Sequence, residues 1–288
     1  MLKKQRHLLI AALMLLLASC RLQSNSLMVT APGSMTPKPS SKVTLVESHT
    51  AGFPVKLAIT LAPSLAHGIT GQASQATNNE LWQIWQPGFM VYSLKGYPLE
   101  NRANEAQLFI YHVKDIESES QHSADNIANL RRLLQYKPGL GAYPRSGLAE
   151  PPAYVPWLRP INARPIMHAG VTYLNFQNGV GMRYLTQYAQ ALSVVNNAEL
   201  YYTFQGLTED EEYYIAALLP VHHPALLAGP NDAPEGDASV WMDPEKNLQY
   251  MQKMAPLLDE AAPDSFTPTL ANLDLMLTSI NIHALLVK

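Results

Sequence analysis

The chain has 288 residues, a formal net charge of −3 and 47% hydrophobic residues, a balance that suits a globular protein with a sizeable core. A mildly acidic surface disfavours binding to a phosphate backbone, which depends on clustered Lys and Arg releasing counterions, so nucleic acid is not an expected partner. One cysteine, Cys20, excludes an intramolecular disulfide and a cysteine-rich metal site.

The amino-terminal stretch organises the rest. Lys3, Lys4 and Arg6 precede the apolar run LLIAALMLLL from Leu8 to Leu17, followed by Ala18, Ser19 and Cys20. A cationic start, a short apolar run and small residues are the pattern of a secretory signal. The run is shorter than the roughly 20 residues a membrane-spanning helix needs. Residues 1–19 therefore read as a signal peptide, the alternatives being a short uncleaved anchor or an ordinary signal with an incidental cysteine. Loss of that segment removes three positive charges and no acids, taking the formal charge from −3 to about −6. Residues 20–42 are rich in Ser, Thr and Pro with little hydrophobic periodicity, the composition of a disordered tether. Residues 43–288 are expected to form a single globular domain.

Within that domain, Lys42–Ser48, Pro54–Leu61 and Ala66–Ser74 read as strands, the last broken by Gly68 and Gly71. GFMVYSL at 88–94 and QLFIYHV at 107–113 are dense in aromatic and β-branched residues and are expected to be neighbours in one sheet. A helix capped by Ser123 follows, with Ile127, Leu130 and Leu134 inward and Asn126, Asn129, Arg131 and Arg132 outward.

Residues 136–165 carry seven prolines together with Tyr143, Tyr154 and Trp157 beside Arg145, Arg159 and Arg164. A connection of that length is often functional. Two readings stand: a rigid binding lip in which aromatic faces and guanidinium groups meet a ligand or partner, and a crossover whose aromatic side chains pack over an open end of the sheet. Tyr143, Tyr154, Trp157, Arg159, Arg164 and His168 are the candidate binding residues of the first reading.

In the segment HAGVTYLNFQNGVGMRYLTQYAQ at 168–190, Asn178-Gly179 between alternating runs predicts a hairpin with a type I′ turn. Gln177 would then face Val180, Tyr173 would face Tyr184, and Val171 would face Thr186. A second hairpin joins Leu200–Gly206 to Glu212–Leu219 through the charged turn at 208–211, making a four-stranded meander. The loop at 228–239 holds Asn231, Asp232, Glu235 and Asp237 and reads as surface loop rather than as a cation site. Asp243-Pro244-Glu245 starts a helix, Thr267-Pro268 starts another, and alternation at 279–282 predicts a last strand returning to the sheet. The order of elements predicts an α+β fold, an antiparallel β-sheet with helices packed against it.

Two resemblances sharpen these expectations. Leu17-Ala18-Ser19-Cys20 resembles the lipobox of bacterial lipoproteins, and TYLNFQNGVGMRYLTQYAQ and LYYTFQGLTEDEEYYIAALLPVHHP resemble stretches of uncharacterised bacterial lipoproteins. That resemblance implies cleavage before Cys20, a thioether-linked diacylglycerol on its sulfur, an acylated new amino terminus (palmitate among the chains), and residence on the extracytoplasmic face of an envelope membrane. Arg21 stands where an Asp would imply inner-membrane retention, and inner and outer membrane stay open. The layout over 43–283, with YYIAALLPVHHP and a closing helix before TSINI, resembles the PsbP-like α/β sandwich of extrinsic photosystem subunits, a likeness of fold that carries no function.

G-x-S-x-G, H-E-x-x-H and a phosphate-binding glycine loop with Lys are absent from the sequence. His222-His223, with His168 or His112, is the metal candidate considered, but adjacent residues of an extended segment point in opposite directions, and no metal or other cofactor is expected. Two functions are carried forward: a non-catalytic, lipid-anchored module that binds an envelope protein or small ligand, and an envelope hydrolase with residues dispersed in sequence. A deep polar pocket holding a histidine or carboxylate pair would favour the hydrolase, and a shallow aromatic surface the binding module.

Overall fold

A computed structural model describes residues 41–48, 53–79, 84–99, 105–144, 155–156, 161, 163–230, 232 and 243–285, all within one compact unit, Pro39–Lys288. Residues 1–40, which hold the expected signal peptide, Cys20 and most of the expected tether, lie outside the described residues, and Lys42, the last residue of that expected tether, already opens β1. The elements are β1 (Lys42–Ser48), β2 (Val55–Leu61), β3 (Gly68–Ser74), β4 (Thr77–Asn79), β5 (Ile84–Gln86), β6 (Phe89–Lys95), β7 (Gln107–His112), α1 (Val113–Glu117) and α2 (Gln121–Tyr136). They continue with β8 (Tyr143–Pro144), β9 (Arg164–Pro165), β10 (Met167–Phe176), β11 (Gly179–Thr186), β12 (Tyr188–Ala189), β13 (Tyr201–Thr208), β14 (Tyr213–Pro220), α3 (Pro244–Glu260), α4 (Leu270–Thr278) and β15 (Asn281–Ala284).

The protein is an α+β fold built on an antiparallel sheet in the order β3-β6-β7-β14-β13-β11-β10-β8. The expected neighbours β6 and β7 do pair, and β10, β11, β13 and β14 form the expected meander. On one face, Tyr92, Leu108, Ile110, Leu185, Phe204 and Ile215 pack with apolar side chains of β2, α3 and α4. On the other, Phe109, Met182, Leu207 and Ala216 pack with Ile127, Leu130 and Leu134 of α2. Every residue of β13 and β14 is buried because both faces are covered, which is why these strands read as near-continuous apolar runs. No helix among the described residues is long and apolar enough to cross a membrane.

Four details differ from the sequence reading. The last strand pairs with β2, not with the large sheet, in a three-stranded sheet β1-β2-β15. Helix α2 starts earlier: Ser120 is its cap, its Oγ accepting from Ser123 N at 3.1 Å. Asn126 and Asn129 face inward, where Asn126 Nδ2 donates to His122 O and Asn129 Oδ1 accepts from Arg132 Nη2, so local amide bonds make these positions tolerable inside. Helices α3 and α4 are capped by Asp243 and by Thr269, two residues past the Thr267 expected.

The first hairpin is displaced by one residue on each strand. Its turn is Gln177-Asn178, with Phe176 facing Gly179, Tyr173 facing Met182 and Thr172 facing Arg183. Gly179 is needed for close approach rather than for a left-handed turn, since a Cβ there would stand 2.1 Å from Phe176 Cζ and 2.3 Å from Leu207 O. Asn178 is claimed by another strand: its Nδ2 donates to Ile282 O at 2.6 Å and its Oδ1 accepts from Ile282 N at 3.1 Å. The side chain thus substitutes for a backbone unit at the edge of β15. Farther along β10 a bulge between Ala169 and Thr172 shifts the register, with Gly170 at φ +57°. It turns Ala169 to the α3/α4 face and Val171 to the α2 face.

Candidate functional site

Of the six candidate binding residues, Tyr154, Trp157 and Arg159 lie outside the described residues. Tyr143 and His168 are brought together. They face each other across the β8–β10 pair, with rings stacked at a centroid distance of 5.5 Å and 22° between planes. Arg164 is exposed in β9, opposite Ala189 of β12. The described parts of the proline-rich passage otherwise serve as cover, since Val155 and Ile161 join the α2-side core and Pro156 O accepts from Gln205 Nε2 at 2.9 Å.

Next to the Tyr143–His168 pair is an open depression that the sequence reading did not single out. Its walls are the loop Lys137–Gly141 and the stretch Val171–Tyr173 of β10. The loop exists because Lys137, at φ +45°, ends α2 with its N–H on Leu133 O, and Pro138 cannot continue the helix. Tyr173 Oη donates to Pro138 O at 3.0 Å and fixes the loop against the sheet. At Gly139 and Gly141 a Cβ would meet nothing within 4 Å, so their backbone is open to an approaching group. Tyr136, 70% exposed, stands beside Lys137 at the helix end. The sequence signal was KPGLG after a helical stripe, legible as a helix stop but not as one wall of a site.

His168 is buried, and burial lowers its pKa, against the raising effects of a hydrogen bond to the Gly141 backbone and of Asp259. His112, His222 and His223 are also lowered, each chiefly by burial. These histidines have separate surroundings: His112 lies between Phe53 and Tyr213, His168 on Tyr143, and His223 on Phe266. No group of three metal-ligating side chains occurs among the described residues. The shared direction of the shifts gives a prediction. The unfolded chain takes up protons below the ordinary histidine pKa of 6.5 more readily than the folded one, so histidine-linked stability is held above that pH and is lost as pH falls through the lowered values. Urea midpoints measured from pH 8 to pH 5 should fall on the acid side, and His168→Gln should reduce the slope; a midpoint that rises toward pH 5 contradicts this.

A serine and a histidine do meet, His223 Nε2 lying 3.1 Å from Ser265 Oγ. Their hydrogen bonds run the wrong way for nucleophile activation. Nδ1 accepts from Ala225 N, which leaves the proton on Nε2, and Ser265 Oγ donates to Ala262 O at 2.6 Å. A general base needs a free Nε2 lone pair directed at the hydroxyl proton.

On the α3/α4 face, Arg183 is 7% exposed. It donates through Nη1 to Gly170 O and holds Nε 3.3 Å from Asp274 Oδ1, an ion-pair distance without hydrogen-bond alignment. Tyr202 Oη donates to the same carboxylate oxygen at 2.7 Å. On the α2 face, Gln205 Nε2 also donates to Tyr184 Oη at 2.9 Å, and its Oε1 accepts from Tyr214 Oη at 2.9 Å. The first group ties strands to α4, and the second ties strands to the proline-rich passage. Sequence reasoning missed them, although Arg183 within an apolar strand was a visible anomaly.

No protein-family model, curated protein or solved structure matches the chain.

Proposed function

We propose that the chain is a non-catalytic binding module of a bacterial cell envelope, anchored to a membrane through lipid on Cys20. What supports binding over catalysis is the depression beside the stacked Tyr143–His168 pair: it is open, and its walls combine loop backbone and apolar groups with Lys137, Thr172 and Tyr173, without a histidine or carboxylate. The serine–histidine contact seen among the described residues, His223–Ser265, gives the hydrolase reading no support, because its protons are placed against nucleophile activation. The anchoring reading rests on the lipobox-like Leu17-Ala18-Ser19-Cys20 and on the tether-like composition up to residue 42. Several acyl chains, at about 0.8 kcal/mol per buried methylene, would hold such a protein on a bilayer firmly. The PsbP-like layout is kept as a proposal about the fold's wider kinship.

Two measurements test this. Cys20→Ala should accumulate an unprocessed precursor that takes up no fatty-acid label, and normal processing with label elsewhere would refute the anchor. A photo-crosslinking amino acid at position 136 should give a discrete adduct in host envelope membranes, absent when the same group replaces Leu275, a 69% exposed residue on α4. No adduct from position 136, with substrate turnover by the purified chain, would favour the hydrolase.

A further inference from the structure

Among the described residues, part of the outer edge of β10 is left without a strand partner. Phe176 pairs with Gly179 across a two-residue turn, which makes that pair the hydrogen-bonded one; alternation along the strand then makes Leu174–Gly181 and Thr172–Arg183 the bonded pairs. Tyr173 and Asn175 consequently turn their N–H and C=O groups away from β11. The outer edge is closed at both ends. At one end β8 pairs with Met167 and His168, and Gly170 N donates to Asp259 Oδ1 at 2.7 Å. At the other, Gln177 N donates to Ile280 O at 3.0 Å. Between these closures no hydrogen bond from another described residue reaches the outward groups of Tyr173, which lines the depression under Lys137–Gly141, or of the exposed Asn175 two residues farther along the strand.

We infer that this edge accepts an extended acidic peptide from a partner protein as an added strand. The inference rests on the binding-module reading and names its ligand class. Unpaired backbone donors and acceptors at strand spacing are matched by another extended backbone, and two residues' worth of edge fits a segment of about four or five residues. Tyr173 and Leu140 border the space for its inward side chains, with the exposed Tyr136 next to Lys137 in the chain. Lys137 is the charged residue of the lining, so a Glu or Asp of the segment is the complementary group.

The test uses the processed full-length protein in detergent and a display library of random ten-residue peptides. Selected peptides should alternate β-branched or aromatic with polar residues and carry an acid. Asn175→Pro removes one outward N–H and no bond to β11, and proline is tolerated at such edge positions; it should weaken the best peptide about tenfold, while Asn175→Thr should not. Lys137→Asn, which keeps a residue tolerant of left-handed backbone, should weaken it about threefold. N-methylation of alternate peptide nitrogens should abolish binding in one frame and spare it in the other, a readout that leaves the protein's folding untouched. Binding that survives Asn175→Pro and also survives N-methylation in both frames would overturn strand addition. So would a dimer of the full chain that dissociates on Asn175→Pro, which would assign the edge to a second copy. If no peptide is enriched while position 136 still crosslinks in membranes, strand addition falls and the binding reading stands; if both fail, both fall.

Discussion

Arg183→Met should destabilise the fold by about 3 kcal/mol, measured as the change in unfolding free energy in urea at pH 7.5. The guanidinium joins three elements: it donates to Gly170 O in the bulge of β10, pairs with Asp274 of α4, and lies with its Cζ 5.9 Å from the Tyr202 ring centroid. Methionine fills much of the volume but leaves the Gly170 carbonyl with only the long bond from Thr172 Oγ1 at 3.5 Å and Asp274 without its cation, where among the described residues the carboxylate keeps Tyr202 Oη. Loss of one member of a nearly buried pair costs more than the pair is worth, because the other charge stays behind. Adding Asp274→Asn to Arg183→Met should therefore recover part of the loss. Strict additivity of the two changes would mean that Arg183 acts through packing alone.

Gln205→Leu should cost about as much, on the opposite face of the sheet. One amide serves three buried partners, donating to Pro156 O and Tyr184 Oη and accepting from Tyr214 Oη. Leucine preserves the shape and strips all three at once, and each polar group left unsatisfied in the interior costs about 1 to 3 kcal/mol. Tyr184 keeps a bond to Tyr188 Oη at 3.1 Å, which holds the total toward the lower end, about 3 kcal/mol. Tyr214→Phe, which removes a single hydroxyl, should cost about 1 kcal/mol by comparison. Equal effects from the two substitutions would show that the amide's other two bonds contribute nothing.

The strands were legible because alternation and β-branched density are local properties. Those at 55–61, 89–95, 107–112, 201–208 and 213–220 stand within a few residues of where the sequence places them. Where the reading went astray, a distant partner outbid a local rule. Asn178-Gly179 has the composition of a turn, yet Asn178 is taken by Ile282 and Gly179 by the ring of Phe176. Asn126 and Asn129 look like surface residues until α2 meets the sheet. The candidate site shows the same division. Tyr143 and His168 could be proposed from residue type, but their stacking depends on the pairing of β8 with β10, and the wall Lys137–Gly141 gains its meaning from a strand that begins only at Met167. No local pattern encodes such a juxtaposition.

The position of β2 between β1 and β15 has a consequence in time. Its outer partners are made at opposite ends of synthesis, and the Thr60 N–H that donates to Ser279 Oγ at 2.8 Å waits for an acceptor 219 positions downstream. A nascent chain can build the β10–β14 meander as its hairpins emerge, but β2 stays half-paired until residues 281–284 have been made. High contact order of this kind slows the last step of folding, because a long loop must close before its contacts repay the lost entropy. Until then, the chain presents an open strand to whatever accompanies it.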